Sequence, residues 1–212
     1  MLTSAQLVEL NRHSIRRRVD AGNEVIGQGE QVGSYSNILK GVIKLSKMMA
    51  DGRQQIVGLQ FAPDFLGRPF LGESTITAEA ATDTDICTFP RNIVDRMVGE
   101  VPDMERKLHA QSLKELDEAR DWMLTLGRKT AQEKVASFLY LIATHIDPES
   151  EGTQTFDLPL SRADIADFLG LTIETVSRQM TKLRKDGIIV IENNRHVIVP
   201  KLDRLRDAAG ID

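Results

Sequence analysis

Three polar side chains in the last quarter of the chain have types and spacing suited to hydrogen bonding. Glu174, Ser177 and Arg178 stand at positions i, i+3 and i+4, which share one face if the segment is helical. A carboxylate can accept from the amino group of cytosine, a guanidinium can bridge O6 and N7 of guanine, and a hydroxyl adapts to either role. This face therefore has the chemistry to read base edges in DNA. The simpler alternative is a surface ion pair between Glu174 and Arg178.

The stretch from Ser161 to Ile189 contains the elements that would hold these side chains. Ser161 and Asp164 have the S-x-x-D spacing of a capping box, and Gly170 suits a tight turn with positive φ. Thr172 can cap a second helix, whose apolar residues recur at helical spacing: Val176, Met180 and Leu183. This pattern predicts a helix-turn-helix, and its alternative is an ordinary helical hairpin.

The residues after the second helix favour DNA binding over a plain hairpin of helices. Gly187 ends the helix, and Ile188–Glu192 and His196–Val199 flank the turn residues Asn193-Asn194 as a β-hairpin. A helix-turn-helix followed directly by a hairpin is a winged helix. Nearby cationic and hydroxyl side chains are predicted to contact the DNA backbone, which sets register rather than sequence: Thr175, Lys182, Lys185 and Arg195.

The net charge of −4 is unevenly distributed along the chain, so the charge of each part must be compared before DNA binding is judged. Residues 158–212 hold nine Lys/Arg and eight Asp/Glu, whereas the other 157 residues hold 18 and 23. Attraction to phosphate depends on the local field, so a chain that is acidic overall can still carry a positive helix. The weak total charge predicts modest non-specific affinity and a sharp loss of binding with salt.

Length and composition indicate a globular protein of one large or two ordinary domains. The chain has 212 residues, of which 41% are hydrophobic and 27% charged. No apolar run approaches the roughly 18 residues of a membrane span, and the N-terminus lacks a signal-peptide core. We therefore expect a cytoplasmic protein with no membrane partner.

The residues that could support catalysis or metal binding form no pattern. The single Cys87 excludes an intrachain disulfide and any site built from several cysteines of this chain. The four histidines are scattered, and no P-loop, G-x-S-x-G or G-x-G-x-x-G motif is present. The chain is not expected to be an enzyme.

Three parts are predicted along the chain, at residues 1–100, 101–127 and 128–212. The first 18 residues read as a short helix. Short β-branched and apolar segments then alternate with turn signals, which is typical of a β-sandwich or small barrel: Glu24–Ile26, Asn37–Leu39, Val42–Met48, Gln55–Phe61, Thr75–Ala80 and Ile86–Phe89. The last part contains the winged helix.

The middle part is predicted to be one long helix that Gly127 ends. Its small and apolar residues are spaced 4, 4, 3, 4 and 3, close to a coiled-coil seam: Leu108, Ser112, Leu116, Ala119, Met123 and Leu126. We predict a homodimer through this seam, because two copies could place their second helices on half-sites one DNA turn apart. The alternative is a helix packed on its own β-domain.

A further helix is predicted after the seam. Thr130 and Glu133 have the spacing of a capping box. Asp147-Pro148 should terminate the helix, and its core face should consist of Val135, Phe138, Leu139 and Ile142.

A β-roll, a long dimer helix and a C-terminal winged helix, in this order, resemble the CRP/FNR family of bacterial transcription regulators over nearly the whole chain. The resemblance is carried by the segments ITAEAATDTDICTFP, LGRKTAQEKVASFL and LPLSRADIADFLGLTIETVSRQMTKLRKDGII. It implies an α+β fold whose N-terminal domain is a jelly roll of the cyclic-nucleotide-binding kind.

The E-x-x-S-R run from Glu174 to Arg178 resembles the FNR/FixK branch of that family. The cyclic-AMP-responsive branch has R-E-x-x-x-R there, and Ile173 replaces its first arginine. The resemblance implies a palindrome of the TTGAT-N4-ATCAA kind and control of genes for low-oxygen or anaerobic metabolism. It also implies RNA polymerase as a partner, with the loop Met49–Gln54 as a candidate contact.

The resemblance argues against cyclic AMP as the signal. A cyclic-nucleotide pocket in this family uses a G-E pair followed by R-S/T-A to hold the phosphate. This chain has Gly67-Arg68-Pro69 and then Ser74-Thr75 at those places, so a cation replaces the carboxylate and the arginine is missing. A CRP-like regulator that responds to a cyclic nucleotide is kept as an alternative function.

The resemblance leaves two hypotheses for Cys87. FNR proteins bind a [4Fe–4S] cluster through three cysteines near the N-terminus and one at the end of the β-roll, where Cys87 stands. A cluster needs four thiolates, so this chain as given holds no such cofactor. Either an FNR-type sensor has its cysteine segment before Met1 in a longer native form, or the chain is a FixK-type regulator in which Cys87 is a small buried residue.

Overall fold

The computed structural model describes residues 4–146 and 152–211. The chain forms two compact units, an N-terminal unit, Met1–Ala119, and a C-terminal unit, Arg120–Asp212. The helices are α1 (Ser4–Arg12), α2 (Arg91–Glu100), α3 (Pro102–Arg128), α4 (Ala131–Ile146), α5 (Arg162–Leu169), α6 (Ile173–Lys185) and α7 (Leu202–Ala208). The strands are β1 (Ile15–Val19), β2 (Glu24–Ile26), β3 (Ser34–Lys40), β4 (Val42–Met48), β5 (Gln54–Phe61), β6 (Phe65–Leu66), β7 (Thr77–Ala80), β8 (Thr84–Pro90), β9 (Gln154–Asp157), β10 (Val190–Glu192) and β11 (His196–Val199).

Two four-stranded antiparallel sheets form the body of the N-terminal unit. Their strand orders are β1-β8-β3-β6 and β2-β7-β4-β5. Buried side chains of both sheets meet in one apolar cluster, with Ile38 and Ile86 from the first sheet and Ile43 and Ala78 from the second. Two sheets that share a core in this way form a roll, as the alternating short segments predict. All six predicted strand segments overlap observed strands, and the segment predicted to begin at Thr75 begins at Thr77.

Residues 1–18 were predicted to form one short helix, and this prediction is wrong for the last part of the segment. The helix α1 ends at Arg12, and Ile15–Val19 is a strand that pairs with β8 in the register Arg17↔Ile86. Its run of arginines has no period-two alternation of apolar residues, so the sequence carries no strand signal there. Pairing with a strand about 70 residues away decides its conformation.

A second apolar cluster lies on the outer face of the sheet β1-β8-β3-β6. Tyr35, Cys87 and Phe89 from the sheet pack with Val94 and Val98 of α2. Leu10 of α1 and Met104 and Leu108 of α3 cover the same cluster. The helices therefore bury a sheet face that would otherwise be exposed.

The long helix α3 runs from Pro102 to Arg128, one residue past the predicted end at Gly127. The division between the two units falls within it. The boundaries of the three predicted parts remain a prediction. Among the described residues, no helix is both long and apolar enough to cross a membrane.

The C-terminal unit is built on the helices α4, α5 and α6 and on a three-stranded sheet. The predicted core face of α4, Val135, Phe138, Leu139 and Ile142, is fully buried. Thr130 and Glu133 form the expected capping box, in which the Thr130 N–H donates to Glu133 Oε2 over 2.7 Å. Helix α4 ends at Ile146, and the predicted terminator Asp147-Pro148 lies outside the described residues.

Candidate nucleic-acid interface

Local hydrogen bonds fix the start of each helix in the predicted helix-turn-helix. Ser161 Oγ accepts from Asp164 N over 3.1 Å, and Asp164 Oδ2 accepts from Ser161 N over 3.2 Å, which completes the capping box of α5. Gly170 ends α5 with φ at 60°, the left-handed conformation that favours glycine. Thr172 then caps α6 by accepting from Thr175 N over 3.2 Å.

The inner face of α6 anchors the helix in the core of its unit. Val176, Met180 and Leu183 are at most 1% exposed. Helix α6 contacts α5 and α4, whose apolar residues Ile165, Phe168, Leu169, Phe138 and Leu139 are equally buried. Because a helix has 3.6 residues per turn, burial of this stripe turns the opposite stripe to solvent.

That opposite stripe carries the three predicted base-reading side chains. Glu174, Ser177 and Arg178 are all exposed. The Arg178 guanidinium donates to Thr175 Oγ1 over 3.5 Å, a long contact that DNA could replace at small cost. Ile173, next to Glu174, is 48% exposed although it is a large apolar residue.

Glu174 stays ionised over a wide pH range. The hydrogen bond from its own backbone N–H is the largest cause that lowers the pKa of the Glu174 carboxylate below the ordinary value. A carboxylate in the first turn of a helix is also favoured by the helix dipole. At neutral pH the side chain is therefore an acceptor only, as pairing with a cytosine amino group requires.

The predicted phosphate-contacting residues of α6 differ in their surroundings. Lys182 and Lys185 are exposed and border a shallow open hollow with Ser177, Arg178, Thr181 and Asp186. Thr175 is half-buried, and its hydroxyl is already bonded to Thr172 Oγ1 over 3.1 Å. In that bond Thr175 Oγ1 accepts, so its own hydroxyl proton could be donated to a phosphate oxygen, and its part in phosphate binding remains a prediction.

The wing has the predicted turn. Strands β10 and β11 pair with Glu192 opposite His196, and Asn193 and Asn194 have φ of 50° and 59°. Two successive residues with positive φ make the tight turn that matches the twist of a hairpin. The first strand is shorter than predicted, because it begins at Val190 and not at Ile188.

The sequence did not reveal two supports of the wing. A third strand, β9, pairs with β11 in the register Val197↔Phe156. Arg162, the first residue of α5, donates to Asn194 O over 3.2 Å. The predicted phosphate contact Arg195 is exposed, and its Nε donates to Leu158 O over 3.0 Å, which leaves the outer guanidinium nitrogens for another acceptor. Only chain folding brings these residues together.

The predicted dimer seam is exposed over only part of its length. Leu116, Met123 and Leu126 are exposed by 45%, 73% and 36%, and Ser112 and Ala119 are also exposed. Leu108 is half-buried and packs on the apolar cluster of its own β-roll. Leu113 and Leu124, which the seam did not include, are 50% and 58% exposed. Exposed apolar residues thus continue along α3 after the turn that contacts the roll.

Cys87 lies on β8 and is 8% exposed, within the apolar cluster under α2. Among the described residues, no group of three or more His, Cys, Asp or Glu side chains could hold a metal ion. One buried thiol does not fit a [4Fe–4S] cluster, which needs four thiolates. The residues described therefore support no step through such a cluster.

The segment compared above with a cyclic-nucleotide pocket is held by contacts within the β-roll. The Arg68 guanidinium donates to Thr75 Oγ1 over 3.4 Å. A side-chain carbon added at Gly67 would lie 2.4 Å from the Tyr35 ring, so only glycine fits there. Arg68, which the resemblance places where the family's cyclic-nucleotide pocket has its carboxylate, is thus bonded within the β-roll.

The candidate contact for RNA polymerase is an exposed hairpin tip. Met49 N donates to Arg53 O over 2.8 Å, and the Arg53 guanidinium pairs with Asp51 over 2.8 Å. Met48 and Met49 are 55% and 54% exposed. The tip is ordered by its own hydrogen bonds and presents both apolar and charged groups.

Comparison with known protein families places two domains on the chain. Residues 16–100 match the cyclic nucleotide-binding domain, and residues 133–208 match the Crp-like helix-turn-helix domain. The two matches coincide with the β-roll and with the winged helix.

Individual proteins resemble the chain over nearly its full length. It is 68% identical to a probable transcriptional activator of Rhizobium leguminosarum bv. viciae, over 96% of this chain and 85% of that protein. It is 43% identical to the transcriptional activator protein FnrL of Cereibacter sphaeroides, over 99% and 86%. The structure of FixK2 from Bradyrhizobium japonicum superposes with a TM-score of 0.81 and 33% identity, covering 92% of this chain and 96% of that one.

Proposed function

Because the chain belongs to the CRP/FNR family of transcription regulators, within its FNR/FixK group, we propose that it binds an FNR-type palindrome as a homodimer. Members of this family are DNA-binding regulators and not enzymes. The palindrome proposed is TTGAT-N4-ATCAA or a close variant, at genes for low-oxygen or anaerobic metabolism. Helix α6 is the recognition helix in this proposal.

The observation that carries the proposal is the outer face of the recognition helix. Glu174, Ser177 and Arg178 are exposed together, while the opposite stripe is buried. An ionised carboxylate, a hydroxyl and a guanidinium supply acceptor and donor groups that distinguish G·C from A·T pairs in the major groove. Lys182, Lys185 and Arg195 flank this face as candidate phosphate contacts, with the Thr175 hydroxyl as a fourth.

The exposed residues of α3 support the homodimer. A palindrome has two-fold symmetry, and a symmetric dimer matches it with one recognition helix per half-site. Apolar side chains such as Met123 and Leu116 would be buried by a second copy of the same helix. The hairpin at Met49–Gln54 is the proposed contact with RNA polymerase. We place the regulator in the cytoplasm, where bacterial DNA lies.

The alternative function, a CRP-like regulator that responds to a cyclic nucleotide, has less support. The family domain at residues 16–100 favours it. Arg68, however, places a cation where the family's pocket has its carboxylate, and no arginine stands at Ser74-Thr75 to hold the phosphate. Calorimetric titration with cyclic AMP should show no saturable binding, and a saturable isotherm would favour the alternative.

A binding experiment with two duplexes tests the proposed function. The chain should bind a duplex with the palindrome at least about 1,000-fold more tightly than one of scrambled sequence at the same salt. In a dimer Arg178→Ala removes one base contact from each half-site, so binding to the palindrome should weaken by at least about 30-fold, since each good base contact contributes roughly 1–3 kcal/mol. Lys107→Ala, on an exposed part of α3, is the matched control for loss of one positive charge. Unchanged affinity of Arg178→Ala would refute base reading by this face.

A further inference from the structure

Arg204 of α7 is bonded to the chain segment that leaves the recognition helix. Its Nη1 donates to Gly187 O and its Nη2 donates to Asp186 O, each over 3.0 Å. The two acceptors are successive backbone carbonyls. A guanidinium has its donors in a fixed planar fork, which suits two neighbouring acceptors better than the single ammonium of lysine does.

Backbone hydrogen bonds cap the C-terminal end of the recognition helix, and Arg204 takes no part in them. Ile188 N donates to Leu183 O over 3.0 Å, and Gly187 N donates to Arg184 O over 3.1 Å. With φ of 65° at Gly187, these two bonds form a Schellman motif. Arg204 therefore binds the two carbonyls at the point where the helix has ended and the chain turns toward the wing.

The link between the recognition helix and the wing affects the position of both elements. Lys185 is the last residue of the recognition helix, and Val190 is the first residue of the wing, so only four residues separate them. Ile189 in this link is fully buried, and Arg204 binds two backbone carbonyl oxygens of the same link. Arg204 is itself exposed, but Leu205 beside it is buried and fixes α7 in the core.

We propose that Arg204 is a positioning residue for sequence-specific DNA binding. It sets the angle between the recognition helix and the wing, so that base contacts from the helix and phosphate contacts from the wing form together. This inference rests on the proposed function, in which α6 reads the bases. It predicts that Arg204 acts on specific binding and has little effect on non-specific binding, because non-specific binding depends on total charge and not on base alignment.

The test compares the wild-type chain with three variants on a palindromic and a scrambled duplex, over a range of salt concentrations. Arg204→Ala should weaken palindrome binding about tenfold, which is the loss expected if misalignment weakens contacts worth about one base contact. Binding to the scrambled duplex and the slope of log K against log salt should stay as in the wild type. Arg204→Lys keeps the charge but cannot span both carbonyls, so it should recover little of the loss. Arg206→Ala removes the same charge from the same helix and should bind both duplexes normally.

The outcomes are distinguishable. Equal loss on both duplexes, with a smaller salt slope, would show that Arg204 binds phosphate directly and would overturn the inference. Unchanged palindrome binding by Arg204→Ala would overturn it as well. Failure of the wild type itself to prefer the palindrome would instead refute the proposed function. The fluorescence of Trp122, the single tryptophan, verifies that each variant is folded. If Arg204→Ala does not fold, Arg204→Lys carries the test, with the same loss expected on the palindrome alone.

Discussion

The rings of Trp122 and Phe168 lie with their centroids 4.5 Å apart and their planes tilted by 55°. Phe138 of α4 completes the group, 6.0 Å from Phe168 and nearly perpendicular to it. Trp122 lies on the last part of α3, and Phe168 lies on the first helix of the helix-turn-helix. The C-terminal unit thus contains the end of the proposed dimer helix within its own aromatic core.

This aromatic contact should contribute measurably to stability. Trp122→Ala is expected to lower the free energy of unfolding of the C-terminal unit by about 2 kcal/mol, less than for a fully buried tryptophan because Trp122 is half-buried. Trp122→Phe keeps an aromatic pair and should cost under about 1 kcal/mol. Denaturant unfolding followed by circular dichroism measures both. Leu124→Ala, at a side chain that is 58% exposed, is the control, and an equal loss there would contradict the prediction.

Introduction of negative charges on the exposed apolar part of α3 should dissociate the proposed homodimer. The double variant Leu116→Glu, Met123→Glu buries four carboxylates in a symmetric interface and should weaken dimerisation by at least about 100-fold. Sedimentation equilibrium should then give the mass of a monomer. Lys107→Glu changes a charge elsewhere on α3 and should remain dimeric. A double variant with the mass of the wild-type dimer would place the interface elsewhere.

Removal of a phosphate contact should differ from removal of a base contact in its salt dependence. Lys182→Ala is expected to weaken binding to palindromic and scrambled duplexes alike. In a dimer it should reduce the magnitude of the salt slope by roughly 1.8, because two phosphate contacts are lost. Fluorescence anisotropy at several salt concentrations gives the slope. An unchanged slope would show that Lys182 does not contact phosphate.

Tyr35 should make the N-terminal unit less stable at high pH. Burial, together with the hydrogen bond that the phenol donates to Asp95 over 2.9 Å, raises the pKa of Tyr35 to about 12. The unfolded chain loses this proton near pH 10, so stability is complete below pH 10 and falls as the pH rises toward 12. The fall should reach roughly 2 to 3 kcal/mol.

Comparison with Tyr35→Phe isolates this contribution from other groups that titrate in the same range. The free energy of unfolding of the variant should be lower at pH 9 but should decrease less than that of the wild type between pH 9 and pH 11.5. Parallel pH profiles of the two proteins would contradict the assignment of the shift to Tyr35.

The thiol of Cys87 should be protected in the folded protein. It is 8% exposed and lies under α2, so an aromatic disulfide reagent should label it at least about 100-fold more slowly in buffer than in denaturant. Cys87→Ala should keep palindrome binding, because the cysteine lies in the β-roll unit and outside the winged helix. Rapid labelling of the native protein would show that the cluster under α2 opens readily.

The helix-turn-helix was predictable from the sequence because short-range contacts build it. Ser161 with Asp164, Thr172 with Thr175, and the turn at Asn193-Asn194 each join residues at most three positions apart. These residue types favour the conformations that the structure shows. The helical spacing of the apolar residues of α6 also predicts that its buried face lies opposite Glu174, Ser177 and Arg178. Six of the eight strands of the β-roll were predictable for the same reason, since alternation and turn residues are local signals, whereas β1 and β6 were not predicted.

Tertiary structure decided what depends on residues far apart in the chain. Pairing with β8 makes Ile15–Val19 a strand, and packing on the roll removes Leu108 from the free part of the seam. Arg162 reaches the wing turn, and Arg204 reaches the end of the recognition helix, across 32 and 17 residues. Such contacts produce no periodic pattern in the sequence, because the folded backbone, and not the spacing of residues along the chain, brings the partners together. The sequence by itself therefore determined which residues are candidates to read DNA, and the fold determined what holds them in place.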